Sequence, residues 1–313
     1  MTAIVTRDLK KFYGSVHALD GLTLTVQPGT VFGFLGPNGA GKTTTIRLLT
    51  GLSRPTSGEA MVAGVDARRA GRVSQIIGYL PEEPAFYRWM TGFEFLDYTA
   101  RIFHVPSNER PKRVKDLLER VGLSEAAKRR IGGYSRGMRQ RLGMAQAMIN
   151  QPEVLFLDEP VSALDPAGRK EVLDLIGSLR GKCTVFMSTH ILADVERVCD
   201  SIGIIDQGKM IVEAPQSELM SRFTIPAIEV EVVAGHEKDL EQWLKAQRKL
   251  AWITNIQLEG AKARLTVKDL EKARRELFRA LNASGLPVQR FEVVTPTLED
   301  IFLQVIHGKG GAK

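Results

Sequence analysis

The most informative stretch of the chain is a glycine-rich run between an apolar segment and a helical pattern. Residues 36–44 read Gly-Pro-Asn-Gly-Ala-Gly-Lys-Thr-Thr and follow the apolar run at 30–35. Glycines let a backbone approach a polyanion closely, and the free amides that open a helix favour negative charge. Lys42 would reach the β- and γ-phosphates of a nucleoside triphosphate, and the Thr43 hydroxyl would bind Mg²⁺. The predicted nucleotide-contacting residues of this loop are Gly36, Pro37, Asn38, Gly39, Ala40, Gly41, Lys42, Thr43 and Thr44.

A second pattern is an apolar run that ends in two carboxylates. Residues 154–157 are apolar and are followed by Asp158 and Glu159. At the carboxyl end of a parallel strand, these side chains would lie where open α/β sheets bind their ligands. Asp158 is predicted to hold Mg²⁺, directly or through water. Glu159 is predicted to polarise the attacking water as a general base, a role that contributes about 10²–10⁴-fold in rate.

Three further segments, in this order along the chain, resemble motifs of the ATP-binding cassette (ABC) ATPases. Residues 134–140, Tyr-Ser-Arg-Gly-Met-Arg-Gln, resemble the signature motif that opens a helix in the helical subdomain. Residues 162–165, Ser-Ala-Leu-Asp, resemble the D-loop, and residues 188–190, Ser-Thr-His, end a strand as the switch histidine does. With the phosphate loop and the acidic strand, this resemblance covers residues 1 to about 215.

The resemblance implies roles for individual side chains. His190 is implied to contact the γ-phosphate, and Asp165 is the D-loop carboxylate. Tyr13 is implied to stack on adenine, which is worth roughly 1–3 kcal/mol and tolerates any base; the alternative is that Tyr13 packs against the core. The signature of one subunit is implied to close over the ATP bound to the other. The signature residues here are Ser135, Arg136, Gly137 and Met138.

Two places depart from the commonest pattern of the family. Glu82 stands where a glutamine usually touches Mg²⁺ and the attacking water, so a carboxylate contact to the metal is predicted, with added negative charge near the γ-phosphate. In the signature, Arg136 and Met138 replace the usual glycine and glutamine. Arg136 either adds a cation to the interface between subunits or points to solvent.

The order of elements predicts the architecture. Short apolar runs at 31–35, 76–80, 154–157, 185–187 and 202–205 alternate with helical patterns, which indicates a parallel sheet covered on both faces. Helical patterns dominate from about 84 to 150. With the resemblance, the fold class is α/β: a P-loop NTPase (RecA-like) ABC core with a helical subdomain and an antiparallel β subdomain. We expect the nucleotide-binding domain at 1–222, an α+β accessory domain at 223–307 and a flexible tail at 308–313.

The sequence texture changes after residue 215. Residues 228–232 and 263–267 alternate apolar and polar side chains, as in a sheet with one wet face. The order strand, helix, strand, strand, helix, strand predicts a small ferredoxin-like domain. Thr295 and Pro296 are predicted to open a last helix that runs to Ile306.

Composition limits the class of protein and its location. The 313 residues carry a net charge of +7, but Lys and Arg are spread among Asp and Glu, so we expect a solvated surface and no nucleic acid partner. The longest uncharged stretch, 21–41, contains proline, asparagine and glycines and does not fit a membrane span. Residues 1–20 contain several charged residues and no long apolar segment, so we expect no signal peptide there. The cysteines, Cys183 and Cys199, lack metal-ligand spacing and are expected to be reduced core residues.

Together these features resemble one branch of the family, the ATPase subunits of ABC-2-type exporters of drugs, antibiotics, lipids or sodium. The resemblance implies a homodimer that closes on ATP and drives a separately encoded permease from the cytoplasmic face of the membrane. The aromatic stretch at 86–90 lies where the permease would dock, although packing between helices explains it almost as well. The alternative function is a soluble ABC ATPase that acts on nucleic acid or the ribosome. Those branches usually carry two cassettes in one chain or a long coiled-coil insertion, and this sequence shows neither feature.

Overall fold

The computed structural model describes residues 2–162, 164–222, 227–247, 249–294, 298–299 and 301–302. The chain divides into two compact units, Met1–Gln216 and Ser217–Lys313. Among the described residues, none of the helices combines the length and the apolar composition needed to span a bilayer.

The described residues of the first unit form ten strands and seven helices. The strands are β1 Ile4–Tyr13, β2 Val16–Val26, β3 Val31–Leu35, β4 Ser57–Val62, β5 Val65–Asp66, β6 Ile77–Leu80, β7 Val154–Asp158, β8 Thr184–Thr189, β9 Ser201–Asp206 and β10 Lys209–Pro215. The helices are α1 Lys42–Leu49, α2 Ala70–Ile76, α3 Gly92–Ile102, α4 Arg110–Arg120, α5 Arg136–Ala147, α6 Pro166–Ser178 and α7 Leu192–Val198. A 3₁₀ turn, Ile131–Gly133, precedes α5.

The central sheet has six strands in the order β10-β9-β3-β8-β7-β6. β3, β6, β7, β8 and β9 run parallel, and β10 pairs antiparallel at one edge. Every residue of β3, β7 and β8 is buried, which explains why the middle of each strand is apolar on both faces rather than alternating. Because the parallel strands share one carboxyl edge, their terminal residues converge there.

Two smaller assemblies complete the first unit. An antiparallel sheet in the order β2-β1-β4-β5 fits the predicted antiparallel β subdomain. Helices α3, α4 and α5 pack against one another in the segment predicted to be helical. The mixed α/β fold class is confirmed. Ile76, which the sequence assigned to a strand, ends α2 instead, and β7, β8 and β9 extend one or two residues beyond the predicted runs.

The second unit is a four-stranded antiparallel sheet with two long helices. Helix α8, Gln216–Arg222, spans the division between the units. The other elements are β11 Ala227–Val232, α9 Glu237–Gln247, β12 Ile253–Glu259, β13 Lys262–Val267, α10 Leu270–Ser284 and β14 Val288–Val294. The strand order β12-β13-β11-β14 is that of a βαββαβ sandwich.

The core of this unit lies between one face of its sheet and the two long helices. Val230 and Leu265 from the sheet pack in one cluster with Leu240 and Leu277 from the helices. The predicted cap residues Thr295 and Pro296, the end of that helix at Ile306 and the tail lie outside the described residues. Leu298 and Ile301 are helical and buried.

Candidate nucleotide site

The phosphate loop connects β3 to α1, and its glycines are required by close contacts. A Cβ on Gly36 would lie 2.4 Å from the carbonyl oxygen of Ile205. Gly41 has φ +111°, and a Cβ there would lie 2.7 Å from the carbonyl oxygen of Ala18. The loop therefore has room for backbone only at these two points. Between them, Pro37, Asn38 and Gly39 are exposed, whereas Ala40 is buried.

Lys42 begins α1 and its ammonium group lies within the loop. Its Nζ donates hydrogen bonds to the carbonyl oxygens of Gly36, at 2.7 Å, and Pro37, at 3.3 Å. Burial lowers the pKa of Lys42, and the negative charges of Glu159 and Asp158 act in the opposite direction. The loop thus holds a buried cation at the N-terminus of a helix, which is a suitable environment for phosphate oxygens.

Asp158 ends β7 and is fixed by the neighbouring strand. In the register of the two parallel strands it lies beside Ser188 of β8. The Ser188 hydroxyl donates a hydrogen bond to Asp158 Oδ1, and both side chains are buried. The Ser188 carbonyl oxygen also accepts a hydrogen bond from the Glu159 backbone N–H, at 3.1 Å. Ser188 therefore positions both predicted carboxylates.

Glu159 occupies the centre of the cluster. Its Oε1 lies 2.9 Å from Nδ1 of His190 and 3.9 Å from Nζ of Lys42. Its Oε2 is buried and has no hydrogen-bond partner among the described residues. The backbone adopts φ +48°, a left-handed conformation that costs about 1–3 kcal/mol in a non-glycine residue and is concentrated at functional sites. A strained, buried carboxylate with one free oxygen suits a group that must accept a proton from water.

His190 follows β8 and connects the buried cluster to solvent. Its side chain is 52% exposed although its Nδ1 contacts the buried Glu159. The unit therefore brings together Lys42, Asp158, Glu159 and His190, which the sequence places in three separate segments.

The oxygen donors near this cluster fit Mg²⁺. Thr43 is partly buried in the first turn of α1, Asp158 supplies a carboxylate, and Glu82 is exposed after β6. No three His, Cys, Asp or Glu side chains form an all-protein metal cluster among the described residues. That absence is compatible with Mg²⁺, which usually binds one or two carboxylates together with substrate phosphates. Glu82 also contributes a negative charge that acts on Lys42.

The signature and D-loop residues open two other helices. Ser135 is the N-cap of α5 and accepts a hydrogen bond from the Met138 backbone N–H, at 3.1 Å. Arg136 is exposed, and Gly137 and Met138 are partly exposed. Within the described part of the chain, no hydrogen bond joins these residues to the phosphate loop. In the D-loop, Asp165 caps α6 by accepting from the Gly168 backbone N–H, and Ala163 lies outside the described residues.

Tyr13 ends β1, and 48% of its surface is exposed. The Nζ of Lys11 lies 4.7 Å from the centre of its ring. Its exposure disfavours the alternative in which Tyr13 packs into the core, so stacking on adenine stays a prediction.

The aromatic stretch at 86–90 contains both a residue that packs against a helix and residues that are exposed. Phe86 packs edge-on against Phe95 of α3, at a centroid distance of 5.1 Å. Tyr87 and Trp89 are 50% and 66% exposed, and their rings lie 5.9 Å apart. Only part of the stretch is therefore helix packing, and Tyr87 and Trp89 form an exposed aromatic surface.

Sequence reasoning missed one ion pair that joins the helices after the D-loop and after the switch histidine. Both Nε and Nη2 of Arg169 in α6 lie 2.7 Å from Oδ1 of Asp194 in α7. Asp194 is buried, which raises its pKa, while the contact with Arg169 lowers it. Each partner follows a predicted site residue, Asp165 or His190, by four positions, about one helical turn. These four-residue offsets were the sequence signal that could have indicated the ion pair.

Two family models and several relatives match the chain. The family described as "ABC transporter" matches residues 19–162, and "ATP-binding protein DrrA1-3-like, C-terminal domain" matches residues 215–306. The daunorubicin resistance ATP-binding protein DrrA3 of Streptomyces coeruleorubidus is 37% identical over 97% of this chain and 96% of its own length. The bacitracin transport ATP-binding protein BcrA of Bacillus licheniformis is 43% identical over 71% of this chain and 72% of its own.

Solved structures share the fold over about two thirds or more of this chain. One described as the ATP-binding subunit of an ABC transporter is 29% identical, covers 71% of this chain and 93% of its own, and has a TM-score of 0.66. A dimeric, post-hydrolysis cassette bound to ADP and phosphate is 23% identical over 68% of this chain and 98% of its own, with a TM-score of 0.63, and shows the fold alone.

The full-length relatives favour a transporter subunit over an ATPase that acts on nucleic acid or the ribosome. A second one, the linearmycin resistance ATP-binding protein LnrL of Bacillus subtilis, is 34% identical over 95% of this chain and 96% of its own. With the phosphate loop, the acidic strand and the C-terminal unit in family order, the chain belongs to the ATP-binding, ATP-hydrolysing subunits of ABC transporters.

Proposed function

We propose that two copies of this chain bind two ATP molecules with Mg²⁺ at their shared interface and drive export through a separately encoded ABC-2-type permease. The observation that carries the catalytic part is the position of Glu159. Its Oε1 is engaged by His190, whereas its buried Oε2 has no partner among the described residues. A carboxylate held in this way has one oxygen available for the attacking water.

Each protein group has a distinct task in the proposed mechanism. Lys42 and the loop amides bind the phosphates. Glu159 Oε2 accepts a proton from water as the water oxygen bonds to the γ-phosphorus and the bond to the β–γ bridging oxygen breaks, which releases ADP. His190 orients Glu159 through Nδ1 and presents the rest of its exposed ring towards the γ-phosphate. Mg²⁺, held by Thr43, Asp158 and Glu82, would neutralise charge on the phosphates. Tyr13 would stack on the base.

The second copy completes the pocket in this proposal. Ser135, Arg136 and Gly137 start α5 and make no hydrogen bond to the phosphate loop of their own chain within the described residues. They are therefore free to face the ATP of a partner copy, where Ser135 and the helix N-terminus would contact phosphate. Arg136 would add a cation to that contact.

Two observations support export and a membrane partner. The full-length relatives are named for resistance to daunorubicin and linearmycin, which suits a cargo of drug-like compounds. Tyr87 and Trp89 offer an exposed aromatic surface of the kind that is enriched at protein interfaces. We place the protein on the cytoplasmic face of the membrane, bound to its permease.

The dimer is tested with Glu159→Gln, which keeps the shape of the side chain and removes its basicity. With ATP and Mg²⁺, this variant should elute as a dimer in size-exclusion chromatography with light scattering, and without ATP as a monomer. Lys42→Ala should stay monomeric under both conditions. A Glu159→Gln chain that remains monomeric at saturating ATP would contradict the ATP-bound dimer proposed for the isolated protein.

The transport partner is tested by co-expression with the membrane protein encoded beside this chain. We expect a six-helix permease to copurify, and the ATPase rate of the complex to rise with one class of compound. Replacing Tyr87 and Trp89 together by serine should weaken the copurification, whereas replacing the exposed Phe278 by serine should not. Copurification with ribosomes or nucleic acid instead would favour the alternative function.

A further inference from the structure

A cavity of about 500 Å³ lies at the opposite end of the central sheet from the nucleotide site. It is bounded by α4 on one side and by the amino ends of β7 and β8 on the other, where Pro152 and Lys182 lie. The catalytic carboxylates follow the carboxyl end of β7, so none of the proposed ATP-binding residues lines this cavity. Its volume is within the range of about 300–1,000 Å³ that is typical of small-molecule sites.

The floor of the cavity is apolar and belongs to the core. Leu117, Met148, Leu155 and Leu179 line it, and each is less than a tenth exposed. These side chains come from α4, the end of α5, β7 and the end of α6. Because the surrounding elements are already packed, an apolar ligand could bind here without rearrangement of the protein, and its removal from water would favour binding.

The rim of the cavity is positively charged. Lys112, Asp116 and Arg120 follow one another at four-residue spacing, so they share a face of α4, and Lys182 lies across from them. None of the three cations has an ion pair among the described residues. A fourth cation, Arg113, is already paired with Glu109, at 3.0 Å. Asp116 is the one carboxylate between Lys112 and Arg120, so the lining holds four cations against two carboxylates and the rim carries an excess of positive charge.

We propose that this cavity binds a small amphipathic anion, with an apolar body on the leucine floor and a carboxylate, sulfonate or phosphate group against Lys112, Arg120 and Lys182. The charge excess disfavours a cationic ligand. A neutral ligand could pack on the apolar floor, but it would leave the excess positive charge of the rim uncompensated. The site is independent of the proposed transport function, because it uses none of the residues assigned to ATP or to the permease.

Cys183 provides a reporter inside the cavity. It precedes β8 at the edge of the sheet and is partly exposed, so the expectation that both cysteines lie in the core is wrong for this one. Cys199 is buried and serves as an internal reference. Burial raises the pKa of the Cys183 thiol to about 11, so alkylation by iodoacetamide needs alkaline conditions, roughly pH 9.

The test measures the alkylation rate of Cys183 in the full chain by mass spectrometry. Saturating 8-anilinonaphthalene-1-sulfonate should slow this rate about fivefold or more, and N-phenyl-1-naphthylamine, which has the same rings without the sulfonate, should protect at about tenfold higher concentration or not at all. Cys199 should stay unmodified throughout, and its alkylation would report general unfolding rather than release of the cavity. Equal protection by both compounds would overturn the assignment of an anion, and no protection by either would overturn the site.

Charge reversal at the rim separates this cavity from other places where the dye binds. In Lys112→Glu/Arg120→Glu, the sulfonate concentration for half protection should rise about tenfold. The matched control Lys115→Glu/Lys238→Glu makes the same change in net charge at exposed residues outside the cavity and should leave protection unchanged. Lys182→Glu alone should raise the concentration for half protection by a smaller factor. This single variant replaces the double variant in the test if the double variant does not fold. Identical shifts in rim and control variants would overturn the role of the rim cations.

Discussion

The two units differ in what they bury. The first unit buries charged and hydroxyl side chains, among them Lys42, Asp158, Glu159 and Ser188, whereas the described residues of the second unit bury apolar side chains only. Burying charge costs free energy unless the charge is paired. The first unit accepts this cost mainly where α1, β7 and β8 meet, which is where ATP chemistry needs a dry, charged cluster. The described core of the second unit is apolar throughout.

Backbone strain follows the same division. Six non-glycine residues with positive φ lie in the first unit, and one of them is Glu159; among the described residues the second unit has none. Strain of this kind persists only where the surrounding structure enforces it. The comparison predicts that substitutions in the buried polar cluster change activity more than stability, and that substitutions in the second core do the reverse.

The largest effect is expected at the phosphate loop. Lys42→Ala removes the buried cation that faces the phosphates, so ATP turnover should fall by about 10²–10³-fold or more, as measured by phosphate release. Lys209→Ala, which removes an exposed cation paired with Asp20, should leave turnover unchanged. Unaltered turnover in Lys42→Ala would refute the assignment of the site.

The second core should respond in the opposite way. Leu277→Ala opens a cavity in a fully buried position and should lower the free energy of unfolding by about 2–5 kcal/mol. The ATPase rate per folded molecule should stay within about twofold of wild type, because the buried polar cluster is untouched. The neighbouring Phe278 is 61% exposed, so Phe278→Ala is the matched control, with a smaller loss in chemical denaturation. Loss of ATPase activity in a folded Leu277→Ala variant would contradict the expectation that substitutions in the second core change stability more than activity.

An intermediate effect is expected at the ion pair between α6 and α7. Arg169→Ala leaves the buried carboxylate of Asp194 unpaired and should cost about 1–3 kcal/mol of stability, because Arg169 itself is one-third exposed. Turnover should fall about tenfold at unchanged ATP affinity, through displacement of His190. Arg169→Lys should restore part of both losses. If turnover does not change at all, the pair is structural only.

The smallest effect is expected at Glu82. It is exposed, so Glu82→Gln removes a screened negative charge near the phosphates, and ATP should bind about two- to fivefold more tightly in equilibrium titration. Turnover should change by a similar factor. A loss of about 100-fold or more would make Glu82 a principal metal ligand rather than an auxiliary one.

Local patterns in the sequence were enough to predict the phosphate loop, the acidic strand and the order of strands and helices along the second unit. The spacing of glycines in a loop and the alternation of side chains in a strand are set by neighbouring residues. Contacts between distant segments were not predictable in this way. The Ser188–Asp158 hydrogen bond depends on the register of two strands 30 residues apart in sequence, and the Arg169–Asp194 pair depends on how two helices pack. The cavity beside Cys183 depends on packing as well.

The most direct test of the account separates ATP binding from ATP hydrolysis in Glu159→Gln. Single-turnover hydrolysis and ATP affinity are measured in the same preparation, with the exposed Glu153→Gln as control. We predict that hydrolysis falls by about 10²–10⁴-fold, the range of general-base catalysis, while ATP affinity stays within about threefold and the control matches wild type. Hydrolysis within about tenfold of wild type, or a loss that follows weaker ATP binding, would contradict the role assigned to Glu159.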